Sequence, residues 1–557
     1  MRGSSRILLG ASVVVAFAVG AVLWVMIAST NAVRQTHAVV VPTVSVLYGS
    51  APDFLDPQES YTTQGEEALW VSYLGLYTYA HGNGAAGSVV IPALATAQPQ
   101  LGDGGKTYTM TLRKHLVYSN GAPVKASDFT YSIKRALKLN WGGDSFYTGN
   151  IVGAAAYAAG KSTTISGITT DDATGTITIH LLAPFGAFEN VLAFPSSGFV
   201  PSGTPMANMT NHPPPGVGPY KIADVVLGKS WVGAINPYYA KEAIPGIPQG
   251  SVTIDAHVES NTTVETENVL NNTADLLDTG DQIAPPLLAQ IKTGAANRYS
   301  TTPVEETYYL FLNTAIKPFD SLLVREAVTM AVDRRAMARL DTGNLVPGCY
   351  FLPPGLVGHP TQPCPYGNPN AAPNVAKAKQ LVARSGDKGA SITVWSEQRQ
   401  PKAQFALYYA SVLSSLGFKV TIKPVADAQY YSTIGNLKLD PQTGFDDWLQ
   451  DFPNPGDFYQ NNLDARAIQP TNNLNAGRVN DPNIQKSLAQ LYPVPAGQLA
   501  THAAGWQALD YYTAQKAYVV VIGYPVAPVF ASSRIDYHAL VVEPSYGWDW
   551  TSIRVNK

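Results

Sequence analysis

The chain has 557 residues, 45% of them hydrophobic and only 14% charged, which is length enough for three or four compact units with large cores. With 37 basic against 40 acidic residues and a formal net charge of −3, it lacks the positive excess that neutralising a run of phosphates demands, so nucleic acid is excluded as a partner. Its 30 Tyr, 9 Trp, 47 Gly and 41 Pro describe a folded, aromatic, loop-rich protein, neither a disordered acidic chain nor a small disulfide scaffold.

Residues 7–28, ILLGASVVVAFAVGAVLWVMIA, carry no charge and are long enough to cross a hydrocarbon layer of roughly 30 Å. Arg2 and Arg6 precede this run and Arg34 is the nearest cation after it. The positive-inside bias therefore leaves the amino end in the cytoplasm and the bulk of the chain outside. The run exceeds the apolar core of an ordinary signal peptide, which favours an uncleaved anchor within residues 1–41. The small residues Ala28, Ser29 and Ala32 keep cleavage, with a secreted or periplasmic product, as the competing reading.

Beyond the anchor, Val44, Val46 and Tyr48 alternate as a strand, and residues 66–80 read as one helix with an apolar stripe. KTYTMTLR and GTITIHLL show the period of two expected of hairpin arms, and between them KASDFTYSIKRALK reads as a helix capped by Ser127. GVGPYKIADVVLGKSWVGAIN reads as a hairpin and ETYYLFLNT as a buried strand. DSLLVREAVTMAVDRRAMARL reads as one long helix capped by Ser321. ASITVWSE, KAQFALYYASVLSSLGF and KVTIKPV form a β-α-β unit with parallel strands, and the tail AYVVVIGYPVAPVF alternates strands and turns.

The two cysteines, Cys349 and Cys364, lie in a Pro-rich segment with little core of its own. A disulfide there suits an oxidising exterior and closes a loop of about 15 residues, worth roughly 3 kcal/mol in the chain-entropy model. Two buried thiols are the other reading. Two cysteines without an ordered His pattern make no zinc site, and the nine His are scattered, so no metal site is predicted. No hydrolase or nucleotide-binding motif stands in a confirming context: GDGGKT at 102–107 has Gln100 where the phosphate loop needs Gly. No catalytic residue and no cofactor is predicted. One constellation stands out. GFDDWLQDFPNPGDFYQ at 444–460 sets Trp448, Phe452, Phe458 and Tyr459 among Asp446, Asp447, Asp451 and Asp457. Rings beside desolvated carboxylates can enclose a cationic or polar small ligand; a surface loop with its aromatics tucked inward is the plainer reading.

Several segments, in order over most of the chain, resemble one family. They are LDP at 55–57, LGLYTY at 74–79, the block IPALATAQPQ…SIKRAL at 91–137, GVGPYKI at 216–222, LNTAIKPFDSLLVREAVTMAVDRRAM at 312–337 and WLQDFPNPGDF at 448–458. The chain resembles the bacterial extracellular solute-binding proteins of ABC importers, family 5, the oligopeptide, dipeptide and nickel group. The resemblance implies an α/β, three-lobe, periplasmic-binding-protein-like fold (type II, large cluster) with a ligand cleft between two main lobes. By analogy, 42–62 with 200–305 and 529–557 form lobe I, 63–199 lobe II and 306–528 lobe III.

It also implies transport rather than catalysis: a monomer that captures a small molecule or peptide and delivers it to an ABC permease and its ATPase. In peptide-binding members a W-x-x-D segment sets an Asp at the ligand's amino terminus, matched here by Trp448 and Asp451, while the backbone at Asp447 and Leu449 would pair with an extended peptide. Tyr61, Trp395, Glu397 and Arg399 are further cleft-wall residues on this reading, with Arg399 meeting a carboxylate; packing or solvated surface is the alternative for each. The sequence departs from the pattern twice. Asp447 stands where peptide binders often have Gly, adding bulk and a charge that would change ligand shape or favour a second cation. No Cys follows the apolar run, so a helix rather than a lipid is expected to anchor the protein. Sugars, metal chelates or opines remain ligands the same fold admits. A secreted hydrolase or a sensor ectodomain are the readings from other classes.

Overall fold

The computed structural model describes residues 41–239, 244–426, 429–471 and 473–556. The chain divides into residues 1–41 and 42–557; the apolar run at 7–28 and its flanking residues lie outside the described residues. Among the described residues no helix is long and apolar enough to cross a membrane.

Strand β1 (Thr43–Tyr48) buries Val44, Val46 and Tyr48 as its alternation requires. The segment read as one helix over 66–80 is instead α1 (Thr63–Trp70) followed by β2 (Tyr77–Tyr79), because Tyr77–Tyr79 pair antiparallel with β3 (Val90–Pro92). Tertiary pairing outweighs the local periodicity there. β4 (Gln100–Gly102) and β5 (Thr107–Thr111) precede α2 (Ala126–Lys138), and β6 (Ile168–Asp171) and β7 (Thr176–His180) complete an antiparallel sheet in the order β4-β5-β7-β6. Helix α2 is not capped by Ser127. The Asp128 carboxylate accepts from the Lys125 N–H at 2.9 Å, while Ser127 donates its N–H and hydroxyl to Asp172.

β8 (Tyr220–Val226), β9 (Ser230–Ile235), β10 (Thr253–Val258) and β11 (Leu276–Leu277) join β1 in a sheet ordered β11-β1-β10-β9-β8, with β1 parallel to both β10 and β11. The remaining sheet has seven strands: β12 (Tyr299–Pro303), β13 (Glu306–Leu312), β14 (Leu345–Pro347), β15 (Ser391–Glu397), β16 (Lys419–Val425), β17 (Thr443–Leu449) and β18 (Val519–Phe530). Its order is β12-β18-β13-β17-β15-β16, with β14 beside β18.

The segment read as one helix over 320–340 is two, α3 (Leu322–Ala331) and α4 (Arg334–Leu340). Val332 is extended, and the Asp333 side chain accepts from Arg335 N and Ala336 N, starting a new helix; Ser321 makes no side-chain cap. The β-α-β unit reads as drawn, β15 and β16 lying parallel on either side of α5 (Lys402–Ser415) in sequence. The tail is a continuous strand, β18, rather than strands and turns, its Pro525 carbonyl accepting from Val304 N at 3.2 Å. Cys349 and Cys364 are bonded, with Cα atoms 6.0 Å apart.

Candidate functional site

A cavity of about 460 Å³ separates the start of α1 from the end of β17. Tyr61, Thr63 and Glu66 line one side, residues 446–451 the other, and Ser545 and Tyr546 close it. Four lining residues are acids, Glu66, Asp446, Asp447 and Asp451; among the described residues, none is Lys, Arg or His. Carboxylates gathered without a lining cation favour cations and N–H donors.

The backbone of β17 supplies a second feature. It pairs with β13 along its whole length, Thr443 to Leu449, but with β15 only at Thr443 and Gly444. Gln442 O and Gln450 N both bond to the β13 side, at Asn313 N (2.9 Å) and Glu305 O (3.0 Å). Strand alternation then turns the backbone groups of Asp447 and Leu449 to the other edge, where no strand covers them among the described residues.

Asp451 follows this edge, in the turn before α6 (Pro455–Asn462). Its Oδ1 accepts from the Tyr61 hydroxyl at 2.6 Å, and its backbone N–H donates to Asp457 Oδ2 at 2.9 Å. Trp448 Nε1 donates to the same Asp457 oxygen at 2.9 Å, so one carboxyl fixes both the indole and the backbone of Asp451. Burial raises the pKa of both acids, and the charge of Asp451 raises that of Asp457 further, whereas the Tyr61 hydroxyl restrains Asp451. Both carboxyls are thus held above the usual carboxylate range, and the two titrate as a pair.

The other expected residues are placed differently. Asp447 lines the cavity, but its carboxylate is already engaged by Lys402 Nζ at 2.7 Å and the Tyr431 hydroxyl at 2.8 Å, so it offers no free charge for a second cation. Leu449 lines both this cavity and a larger one of about 890 Å³, which shares Thr63, Asp447, Ser545 and Tyr546 with it. Trp395 is core instead of cleft wall, 3% exposed, with Lys423 Nζ 3.9 Å from its ring centre. Glu397 is buried between Arg399 (3.1 Å) and Lys402 (3.5 Å), and Arg399 faces the larger cavity with Glu397 as its carboxylate partner. Tyr61 is a cavity residue, 39% exposed. Sequence reasoning missed Glu66. Its one signal is a pair of adjacent acids entering an apolar helix, EEALW, which does not say which of the two is partnered.

A family model for bacterial extracellular solute-binding proteins, family 5 Middle, matches residues 89–469. The chain belongs to the bacterial extracellular solute-binding proteins of family 5. Among curated relatives, the glutathione-binding protein GsiB of Salmonella typhimurium is 27% identical over 412 residues, 70% of this chain and 71% of that protein. GsiB of Escherichia coli O157:H7 is 25% identical over the same length and shares. Among solved structures, clavulanic acid biosynthesis oligopeptide binding protein 2 superposes with a TM-score of 0.84 at 20% identity, over 92% of this chain and 95% of that one. The Escherichia coli murein tripeptide binding protein MppA gives 0.72 at 20% identity, over 92% and 98%. These likenesses establish the periplasmic-binding-protein fold, and the family is one of extracytoplasmic solute-binding proteins that serve ABC transporters rather than of enzymes.

Proposed function

We propose that this protein captures peptides outside the cytoplasm, as a monomer held to the membrane by residues 7–28, and delivers them to an ABC permease and its ATPase. The carrying observation is the acid-lined cavity beside the uncovered edge of β17. A terminal ammonium meeting Asp451 forms a charge-assisted hydrogen bond, strengthened where little water competes. The backbone of Asp447 and Leu449 adds the peptide as a strand, which gives affinity without reading side chains. Trp448 shields the pair. The relatives named for glutathione and the structures named for oligopeptide and murein tripeptide point to the same ligand class. Glutathione itself, with two carboxylates against one amine, is poorly matched to an acidic wall.

The lobes lie at 42–62 with 200–305 and 529–557, at 63–199, and at 306–528. Strands β1 and β8–β11 fall in the first, β4–β7 in the second and β13–β17 in the third, which supports the division. Native mass spectrometry of the purified protein, followed by calorimetry with a free-amine peptide and its acetylated form, tests the reading. The free-amine peptide binds more tightly and is recovered intact; equal binding, or hydrolysis, rejects it. Recovery of the full chain in the membrane fraction tests the anchor, and recovery in the supernatant rejects it.

A further inference from the structure

Helix α1 carries two adjacent acids, Glu66 and Glu67, that the fold treats in opposite ways. Glu67 is engaged throughout: its carboxylate accepts from the Tyr48 hydroxyl at 2.5 Å, from Trp550 Nε1 at 2.9 Å and from the Trp548 N–H at 3.1 Å. Glu66 is 8% exposed and lines the cavity, yet neither of its carboxyl oxygens meets a donor. Burial first, and then the charges of Asp53 and Asp451, hold its carboxyl well above the usual carboxylate range, and among the described residues no cation offsets them. Gln450 Oε1, in the same wall, also lacks a donor, against one unpartnered hydroxyl, that of Tyr546.

A buried carboxylate left without a partner is costly, and an acid serving the fold would have gained donors as Glu67 did. The deficit is made good when a ligand brings positive N–H groups. Asp447 has Lys402, and the peptide reading assigns the terminal ammonium to Asp451, which leaves Glu66 to be met by a further donor. Among the described residues no three of these acids are grouped to hold a metal ion, which favours an organic cation.

Building on the peptide reading, we infer that Glu66 is a second anionic anchor, so that the preferred ligand is a peptide with a lysine or arginine side chain close to its amino terminus. The ammonium of the terminus goes to Asp451, and the basic side chain reaches Glu66 on its flexible stem.

Calorimetry with Lys-Ala-Ala and Ala-Lys-Ala, their five-residue extensions with alanine, and the same peptides with norleucine for lysine tests this on wild type, Glu66→Gln and Glu66→Asp. In wild type, at least one lysine peptide binds about tenfold or more tightly than its norleucine counterpart. Glu66→Gln closes that gap, and Glu66→Asp retains part of it. Equal binding of lysine and norleucine peptides to wild type, or a gap that survives Glu66→Gln, overturns the inference and leaves the peptide reading standing. Absence of binding by every free-amine peptide overturns both. If Glu66→Gln fails to fold, the wild-type and Glu66→Asp comparisons decide.

Discussion

Asp451 works under two opposed influences: burial raises its pKa, and the Tyr61 hydroxyl at 2.6 Å holds it down. Replacing it with Asn keeps the shape and removes the charge. Asp451→Asn is expected to weaken a free-amine peptide by about 1.5–3 kcal/mol, the range of a hydrogen bond to a charged group, and to leave an acetylated peptide unchanged. Calorimetry giving the two proteins equal affinity would remove Asp451 from this role. The same raised pKa sets a pH dependence. A cation needs the ionised carboxylate, so affinity for a free-amine peptide falls as pH drops from about 7 to about 5, and falls less in Asp451→Asn; parallel profiles for the two proteins would assign the titration elsewhere. Trp448 and Asp451 were legible because a short motif carries them. Glu66 was not, since only the arrival of Tyr48, Trp548 and Trp550 at Glu67 distinguishes the two neighbours. The LDP motif is legible as family likeness yet not as chemistry: Asp56 takes a fully buried bidentate pairing with Arg135, 79 residues away, and so holds the scaffold instead of the ligand.

At the scale of elements, the β-α-β unit at 391–425 was readable because its periodicity changes twice within one short stretch, and α5 lies where that change falls. The division of α3 from α4 was written in Asp333, an N-cap residue that a continuous apolar face obscured. The uncovered edge of β17 was beyond reading, because it depends on how soon β15 diverges. The turn after β17 adds a link that sequence shows only as an aromatic among acids. Phe452, fully buried, sets its ring 5.6 Å from Phe146 and 5.9 Å from Phe194, and Phe194 lines the cavity. Phe452→Ala should lower stability by about 3–5 kcal/mol, as large-to-small core changes do, and weaken peptide binding as well, because Phe452 follows Asp451 directly and packs on Phe194 of the cavity lining. Denaturant unfolding and calorimetry on the one variant check both; lost stability with unchanged affinity would confine Phe452 to packing.

For the whole molecule, the strands β12 and β18 pair with each other in the seven-stranded sheet and lead at their outer ends toward the five-stranded one, where Arg298 bonds Ala531 O and the Val269 and Leu270 carbonyls. On the proposed lobe division, the chain crosses between lobes I and III here, beside the larger cavity, so ligand-driven closure should bend these segments; X-ray scattering should then give a smaller radius of gyration with saturating peptide, and an unchanged radius would argue against closure. That cavity is walled by buried acids whose titration acts on the fold as a whole. Burial pushes Glu67 and Glu543 up to about 8 and Glu305 up to about 7, and away from this wall Asp510 and Glu189 also reach about 7. Unfolded, these groups titrate near about 4, so between about pH 5 and 8 the folded chain binds more protons than the unfolded one and stability falls as pH rises. Asp333 and Asp481 act in the opposite sense: despite partial desolvation, Arg335 holds the first low and the hydroxyls of Tyr518 and Tyr512 the second, so their contribution is lost only in stronger acid. The melting temperature should therefore be highest near about pH 5 and decline toward pH 8, with Glu67→Gln flattening part of the slope. A melting temperature that rises from pH 5 to pH 8 would mean that these carboxyls are ionised in the folded protein, and that burial does not govern them.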